Sequence, residues 1–526
     1  MTKRVLPYLA ISYTAGVFMA SGGLNFLIIL SVSALLLVLF AILRNRLTKH
    51  LLIFSAIIIV AFMYTDIKIS NLPSVPNEPC IISGRVTEIT NENDKSTLRL
   101  KTGTFGNVRL TVYGKSDFIY GDIIRAEAQL FDVSSSHRSG FSRHLMSHRI
   151  YVYATADAEN VIITGNRTSR FNIFDIAAQV RSNINKTFST YLPDSVSAMA
   201  SALLLGDRSG LDAATEEIFR ISGITHIVAV SGSHLSMLLT MAMALFGFMH
   251  IKRRTPVIIF YLALIWFFVL ITGCSFSVIR AAVMCTLVFT AFLIRREADP
   301  LSSLAFSVLL LALVNPFAIF DIGLQLSVLS TASIIIFAPL LNNRLPVFSP
   351  LKELITTTLT AQIGVLPLSA LYFSDISLVA PITNIFAIPL SSFAMTLCII
   401  VCLFSFIPFI AGGASVVLTA VLYAFKFIAT CIAAIPFASV TSVYPHFEVC
   451  LFYAGLCLAL YFMLNRQKLQ AFCTFSLSSC VFCVIIIINV LFSPPQLHFI
   501  DVGYGDAVLA EDIKIKNQNC DPKVYK

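Results

Sequence analysis

Residues 202–239, ALLLGDRSGLDAATEEIFRISGITHIVAVSGSHLSMLL, form a polar, glycine-rich stretch between strongly apolar runs. Ionisable groups at membrane depth are usually paired with one another or line a water-filled path. Glycines recur along the stretch and permit sharp turns, so the pattern favours short or re-entrant helices over one long span. We therefore interpret this stretch, called the central stretch below, as the functional centre.

The composition around the central stretch is that of an integral membrane protein. Of the 526 residues, 57% are hydrophobic and only 12% are charged, whereas soluble proteins carry about 25% charged residues. The apolar runs are numerous enough to predict roughly ten to twelve helical spans. The twelve cysteines lie mostly in apolar runs, where they behave as small hydrophobic side chains, and we expect Cys480 and Cys483, three apart in one such run, to pack there as well. Cytoplasmic Lys and Arg explain much of the net charge of +9, which does not by itself indicate nucleic acid.

Changes in composition predict five parts of the chain. Basic residues at the ends of apolar runs place those ends in the cytoplasm, so a polar segment after the third span and the C-terminal tail are expected outside. Strict alternation fails between 376 and 436, where one of the predicted segments 376–392, 393–410 and 414–436 is expected to be re-entrant or split. The five parts are leading spans at 1–70, a β domain at 73–165, an amphipathic helix with the central stretch at 171–240, the main spans at 241–493 and a tail at 494–526.

Short β-rich runs predict a small barrel in the polar segment. Five such strands suit an OB-like fold, which often binds single-stranded nucleic acid through a basic groove. From 75 to 165, ten basic residues are balanced by ten acidic ones, so a solvated surface explains the charges equally well. The five runs are IISGRVTEIT (81–90), TLRLKT (97–102), VRLTVYG (108–114), DIIRAEAQL (122–130) and IYVYATA (150–156). The candidate DNA contacts on this domain are Arg85, Arg99, Lys101, Arg109, Lys115 and Arg143.

Four blocks of sequence, in a fixed order along the chain, together form a recognisable pattern. They are the central stretch, FSVIRAAVM (276–284), DPLSSLAFSVLLLALVNPFAIFDIGLQLSVLST (299–331) and AQIGVLPLSALYF with PITNIFAIPL (361–390). Together they resemble the ComEC-type family of DNA-internalisation proteins from bacterial natural transformation, and the resemblance covers almost the whole chain. It implies a polytopic α-helical membrane protein with an external OB-like barrel after the third span. It also implies a channel that passes single-stranded DNA across the cytoplasmic membrane during competence.

The polar residues of the membrane region suit such a channel. A moving strand needs a hydrated path with dispersed cationic and hydroxyl groups, because tight phosphate binding would stall it. Arginines are the candidate phosphate contacts, serines and amides the candidate replacements for water, and acids the candidate partners of the arginines; the alternative for each is a buried polar group that fixes helix packing. The candidate path residues are Gly206, Asp207, Arg208, Glu217, Arg220, His226, Ser231, Gly232, Ser233, His234, Arg280, Asp321, Gln325 and Asn384.

The same residues do not form a recognisable catalytic motif. Ser231 and His234 lack the glycine of a GxSxG nucleophile turn, and they pair only if the backbone folds them together. His226 and His234 lack HExxH spacing, and GKS at 114–116 lacks the earlier glycine of a phosphate loop. We therefore expect no enzyme activity, no metal and no cofactor. Strand pulling would then require a partner protein.

The tail departs from the resemblance. LHFIDVGYGDAVLAED (497–512) resembles the opening of the metallo-β-lactamase-like domain of many family members, with Tyr504 where Gln is usual, and no HxHxDH cluster follows. A truncated nuclease-like domain without its two-metal chemistry is expected. Two lesser departures are Phe276, where Pro is usual, and HRSGFSRHL (137–145), where an NPGxFDYxxYL-like run is usual.

The resemblance implies single-stranded DNA and membrane lipid as partners. A competence DNA receptor, a cytoplasmic helicase or single-strand-binding protein, and a second copy of the chain are further candidates. A secondary transporter for a small anionic solute is the competing class, because buried arginines and broken helices fit it too. Inverted repeats would favour that transporter, and the sequence shows none. A nonfunctional truncated competence protein is the third interpretation.

Overall fold

The computed structural model shows a mainly helical protein with one small β domain. The predicted second span near 24–43, Lys115, Tyr504 and the tail after Glu511 lie outside the described residues. The described residues are 5–22, 46–73, 75, 79–92, 95–114, 118–133, 140–166, 173–248, 254–344, 349–373, 375–441, 447–492, 496–501 and 506–511.

Apolar helices make up most of the described chain. Seven helices are long and apolar enough to cross a membrane, and five shorter apolar helices accompany them among the described residues. The predicted multi-pass membrane protein is confirmed at this level, while the number of spans and their orientation stay predictions. Helices α1 to α17 are Val5–Ser21, Arg46–Ser70, Gly140–Ser147, Ile173–Tyr191, Asp194–Leu205, Ala213–Ile221, Thr225–Val228, Gly232–Phe248, Arg254–Ile271, Phe276–Leu293, Pro300–Val314, Ile322–Asn342, Ser349–Phe373, Ala380–Leu403, Pro408–Ala433, Phe447–Leu464 and Lys468–Phe492.

One helix, α14, replaces two predicted segments. The sequence predicts two segments, 376–392 and 393–410, but α14 runs without interruption from Ala380 to Leu403 and contains Pro389. Proline removes one backbone hydrogen bond, and neighbouring helices can support the remaining backbone so that the helix bends or continues instead of ending. The predicted separation of these two segments is therefore wrong. The number of crossings between 376 and 436 stays a prediction.

Six strands form the β domain: Cys80–Glu92, Lys95–Thr102, Asn107–Tyr113, Asp122–Asp132, Ile150–Asp157 and Val161–Asn166, labelled β1 to β6. Their order is β1-β2-β3-β5-β4-β6, and pairing of β1 with β4 closes a five-stranded barrel. The pairing of β3 with β5 is parallel. Alternate residues point inward, so Leu98, Leu100 and Leu110 are fully buried. All five predicted strands are confirmed, and β6 was not predicted.

Short helices form the central stretch, as the glycine pattern predicts. Helix α5 ends where Gly206 adopts a left-handed conformation with φ of 74° and donates its N–H to Ala202 O. Asp212 caps α6 by accepting from Thr215 N at 3.0 Å. The four-residue α7 and then α8 follow. Their apolar faces enter the largest buried cluster, in which Leu205, Leu235 and residues of α9, α10, α14 and α15 pack together.

The chain separates into two compact units. One comprises 1–338, 345–365 and 375–440, and the other comprises 339–344, 366–374 and 441–526. The first contains strand β7 (Asp375–Ser377), and strand β8 spans Ser439–Thr441. In the second, α16 and α17 pack side by side with Phe452 and Phe482 stacked at 4.9 Å between ring centroids. Strands β9 (Gln496–Asp501) and β10 (Asp506–Glu511) form an antiparallel hairpin. The predicted division into five parts stays a prediction.

Candidate functional site

The central stretch folds back so that its two polar turns touch. A Cβ added at Gly206 would lie 2.9 Å from Val230 Cγ2, the residue before Ser231. The left-handed φ of Gly206 would strain any other residue, and a side chain would collide with Val230. This glycine therefore lets the turn that contains Asp207 and Arg208 approach the start of α8.

Asp207 holds the first of these turns together. Its Oδ1 accepts a hydrogen bond of 2.7 Å from Ser209 Oγ, and its Oδ2 lies 3.6 Å from Arg181 Nη2 and 3.5 Å from Asn185 Nδ2. Burial raises the pKa of this carboxyl, but the Ser209 hydrogen bond and the Arg181 charge outweigh burial and hold the pKa below its usual value. Asp207 is therefore a charged residue with internal partners.

Two other charged candidate path residues, Glu217 and Arg220, lie in α6, and Arg208 lies in the turn that precedes it. Arg208 Nη2 donates to Thr225 O at 3.0 Å, which ties the first turn to α7. Arg220 donates to both carboxylate oxygens of Glu217 at 2.9 and 2.7 Å. Glu217 thus pairs with an arginine, but both side chains are exposed, so the pair belongs to the surface of α6.

The second turn, SGSH, is a helix cap. Ser231 N–H donates to His234 Nδ1 at 3.2 Å, and Ser231 Oγ lies 3.3 Å from the same nitrogen. Ser231 and Ser233 share a hydrogen bond of 2.8 Å between their hydroxyls. The backbone does bring Ser231 and His234 together, but His234 Nδ1 accepts from the backbone N–H of Ser231, as the side chain of the third helical residue does in one half of a capping box. His234 Nε2 is buried without a hydrogen-bond partner among the described residues, so the acid that orients a catalytic histidine is missing there.

Arg280 of α10 lies close to this helix cap. Its side chain is 5% exposed, its Nε donates to Ser327 Oγ at 3.1 Å, and its Nη1 lies 3.0 Å from Met284 Sδ. A Cβ added at Gly232 would lie 3.4 Å from Arg280 Nη2, so this nitrogen faces the first residue of α8. Among the described residues, no carboxylate forms an ion pair with Arg280.

The Arg280 guanidinium is buried, and it faces the start of α8 without a carboxylate partner among the described residues. A guanidinium buried without a counter-charge is costly, because its desolvation is not repaid. The first amides of a helix also lack partners within the helix and carry the positive end of its dipole. Gly232 leaves no side chain between those amides and Arg280. A phosphate oxygen or carboxylate is the group that both would bind.

The remaining predicted path residues are divided between helix ends and the interior. Gln325 Nε2 donates to Ile319 O at 2.8 Å, which fixes the start of α12. Asn384 of α14 is buried, and its Oδ1 has no hydrogen-bond partner among the described residues. His226 is exposed, with Nδ1 3.0 Å from Gly223 O. The Asp321 carboxylate lies 3.4 Å from His148 Nε2, and none of the ion pairs among the described residues joins it to an arginine.

Four of the six basic residues predicted on the barrel, Arg85, Arg99, Lys101 and Arg109, share one face of the sheet. Arg85 stands directly opposite Lys101 on the neighbouring strand, and Arg99 stands opposite Arg109. Like charges in directly opposed positions are destabilising. The face therefore requires acids or other acceptors, from inside the protein or from a ligand.

Internal acceptors already hold part of that basic face. Arg85 Nη2 lies 2.5 Å from Oδ1 of Asp175 in α4, whose side chain is 2% exposed. Arg99 Nη2 donates to His148 O at 2.6 Å. Arg143, outside the face, donates to Ser21 O at 3.3 Å. Lys101 is exposed.

Three further side chains converge at a place that the sequence does not predict. His144, His148 and Asp321 each offer one ligand atom, and the three atoms lie within 4.8 Å of one another. The available signal is HLMSH (144–148), in which two histidines are four residues apart and fall on one side of a helical turn. The contribution of Asp321, far along the chain, leaves no local signal.

Comparisons with known proteins point to one family. The family model described as Competence protein matches residues 203–467. ComE operon protein 3 of Bacillus subtilis (strain 168) is 26% identical over 216 residues, which cover 41% of this chain and 27% of that protein. Recombination protein 2 of Haemophilus influenzae (strain ATCC 51907 / DSM 11121 / KW20 / Rd) is 23% identical over 399 residues, 72% of this chain and 49% of that protein. The matches thus span about a quarter and about half of these relatives, and no solved structure matches.

Proposed function

Because the chain belongs to the competence protein family, we propose that its membrane region conducts single-stranded DNA across the cytoplasmic membrane during natural transformation. The observation that carries the proposal is the buried guanidinium of Arg280, which faces the start of α8 without a carboxylate partner among the described residues. The matched segment, 203–467, contains both elements. An anion site there supplies what a phosphodiester strand requires.

A passing phosphate interacts with this site in a simple way. One phosphate oxygen accepts from Arg280 Nη2, and a second accepts from the first amides of α8. The hydroxyl of Ser233, which is exposed, exchanges hydrogen bonds with water and the strand. One arginine and one helix end hold a single phosphate, so the strand can advance to the next phosphate without a large barrier.

The barrel is proposed to be the external OB-like domain that receives the strand. In OB folds, the face of the second and third strands binds oligonucleotides. Lys101 on β2 and Arg109 on β3 lie on that face, and Lys101 is exposed to solvent. The tail is proposed to lie outside as well. Pulling of the strand is assigned to a partner such as a helicase or a single-strand-binding protein, and capture of DNA to a separate receptor.

Entry of labelled DNA into cells tests the role of Arg280. A strain without its own copy of the gene is complemented with the wild-type chain, Arg280→Ala, Arg280→Lys or the matched control Arg296→Ala, which removes an exposed arginine just after α10. Loss of one charge-assisted contact of about 1.5–3 kcal/mol predicts roughly 10–100-fold less DNase-protected strand with Arg280→Ala. Arg280→Lys retains part of the entry, and Arg296→Ala retains it fully.

Membrane abundance is measured in parallel, so that loss of protein is not counted as loss of transport. Normal entry by Arg280→Ala at equal abundance would contradict the proposal and return Arg280 to a packing role. Uptake of a labelled small anion into vesicles by the wild-type chain, without DNA entry, would instead identify a solute transporter.

A further inference from the structure

His144, His148 and Asp321 form a second cluster of polar side chains. His144 belongs to α3, His148 follows that helix, and Asp321 stands between the 3-10 helix Pro316–Phe320 and α12. The three ligand atoms lie within 4.8 Å of one another. Two segments remote in sequence thus supply two imidazoles and one carboxylate at one point.

The distances approach those of a metal centre. In a tetrahedral zinc site with bonds of about 2.0–2.1 Å, neighbouring ligand atoms are roughly 3.3 Å apart. His148 Nε2 and Asp321 Oδ2 are already 3.4 Å apart. The largest separation, at most 4.8 Å, closes to that value with a side-chain shift of about 1.5 Å.

The ligand atoms have few competing partners. His144 Nδ1 is buried and has no hydrogen-bond partner among the described residues. Asp321 uses Oδ1 to accept from Leu324 N at 2.7 Å, which leaves Oδ2 for the cluster. The His148 ring packs against the ring of His144 at 5.0 Å and that of Phe276 at 5.5 Å between centroids. A bound cation would satisfy the nitrogen and oxygen atoms that these contacts leave.

Hydrogen bonds to the backbone hold both segments in place. Asn315 Nδ2 donates to Ser147 O at 2.6 Å, which joins the segment before α12 to the end of α3. Arg99 Nη2 donates to His148 O at 2.6 Å and fixes the next residue from the barrel side. The Oδ1 contact with Leu324 orients the carboxylate. Such supporting contacts are what position metal ligands accurately.

The donor set selects the class of ion. Two imidazoles and one carboxylate favour zinc and other first-row transition metals over Mg²⁺ and Ca²⁺, which prefer oxygen ligands. The positive charge of Arg109 near His144 opposes any cation, so the imidazole bonds must supply the affinity. Three protein ligands leave a fourth position for water.

We propose that His144, His148 and Asp321 bind one divalent transition-metal ion, with Zn²⁺ as the best fit, and that this ion links the end of α3 to the start of α12. Asp321 is also one of the candidate path residues, but among the hydrogen bonds of the described residues none of the three ligands contacts Arg280 or the start of α8. Zinc binding by these three residues can therefore be tested whether or not the membrane region conducts DNA.

Zinc titration of the purified full chain tests the site directly. The protein is prepared in detergent with a tag that contains no histidine, stripped with a chelator, and titrated with Zn²⁺ against a fluorescent zinc chelator. We expect one Zn²⁺ per chain for the wild type. His144→Gln, His148→Gln and Asp321→Asn should each weaken binding at least about 100-fold, since even a supporting residue costs 10–100-fold.

His226→Gln is the matched control, because it removes an exposed imidazole outside the cluster. It should bind Zn²⁺ as the wild type does. A second measurement covers variants that fold poorly: Zn²⁺ should raise the Tm of the wild type and of His226→Gln through binding to the folded state, and leave the ligand variants unchanged. The proposal is overturned if the wild type takes up no stoichiometric Zn²⁺, or if well-folded ligand variants bind it equally well.

Discussion

The barrel and the helical region each contain a largely buried arginine, and the two arginines differ in whether a carboxylate balances their charge. Arg85 of β1 pairs with Asp175, whose carboxylate also accepts from Tyr120 Oη at 3.1 Å. Arg280 of α10 has only Ser327 Oγ and Met284 Sδ as partners among the described residues. Asp175 neutralises the charge of Arg85 inside the protein, whereas the charge of Arg280 remains available to a ligand.

This difference separates a structural arginine from one suited to a ligand. Removing one member of a buried ion pair leaves the other charge without compensation, so Arg85 and Asp175 contribute mainly to stability. A buried arginine without an acid gains from an incoming anion what Arg85 already gains from Asp175. The comparison therefore predicts that stability depends on the first arginine and transport on the second.

The largest effect is expected for Asp175→Ala. The change leaves Arg85 without its carboxylate, and because the Arg85 side chain is 23% exposed, the loss should be about 2–3 kcal/mol, below the range for a fully buried pair. Thermal unfolding of the purified chain measures it. Adding Arg85→Ala to Asp175→Ala should recover part of the stability, since the uncompensated charge is then gone. A double variant less stable than Asp175→Ala by the full effect of Arg85→Ala would contradict the pairing.

The next effect is expected for Gly232→Val, which tests access to Arg280. A Cβ there would lie 3.1 Å from Ala281 Cβ and 3.4 Å from Arg280 Nη2, so a branched side chain stands between the arginine and an anion. Entry of DNase-protected DNA should fall about 10-fold, the value of one charge-assisted hydrogen bond at the lower end of its range. Gly232→Ala is the milder control and should lose less. Equal entry by both variants at normal abundance would remove Gly232 from the path.

A smaller, salt-dependent effect is expected for Lys101→Ala on the barrel. If Lys101 contacts a phosphate, the variant should bind single-stranded DNA several-fold more weakly at low salt, and the slope of log affinity against log salt should drop by about 0.7. Lys186→Ala is the control, because Lys186 is an exposed lysine of α4 outside the barrel. An unchanged slope would favour the interpretation of a solvated surface.

The smallest effect is expected for Glu217→Gln. Its pair with Arg220 is exposed on α6, with side chains 49% and 45% accessible. Such surface pairs contribute about 0.2–1 kcal/mol at most, so thermal unfolding should change little. A large loss of stability would show that this pair is a structural element comparable to Arg85 and Asp175.

Local patterns in the sequence were sufficient to predict several elements of the structure. The strands at 81–90 and 97–102 follow from alternation of apolar and polar residues. The end of α5 follows from Gly206, whose left-handed φ most residues avoid. The membrane class follows from composition alone. In each case, the physical cause lies within a few neighbouring residues.

Contacts between segments remote in sequence could not be predicted from the sequence. The continuity of α14 through Pro389 depends on the helices around it. Arg280 meets Gly232, and His148 meets Asp321, because separate helices pack in one particular arrangement. Residue types and spacing establish that a charge exists and must be compensated, since burying it costs free energy wherever it lies. Which group compensates it depends on three-dimensional packing, and this packing gave Arg85 a carboxylate and left Arg280 facing the start of a helix.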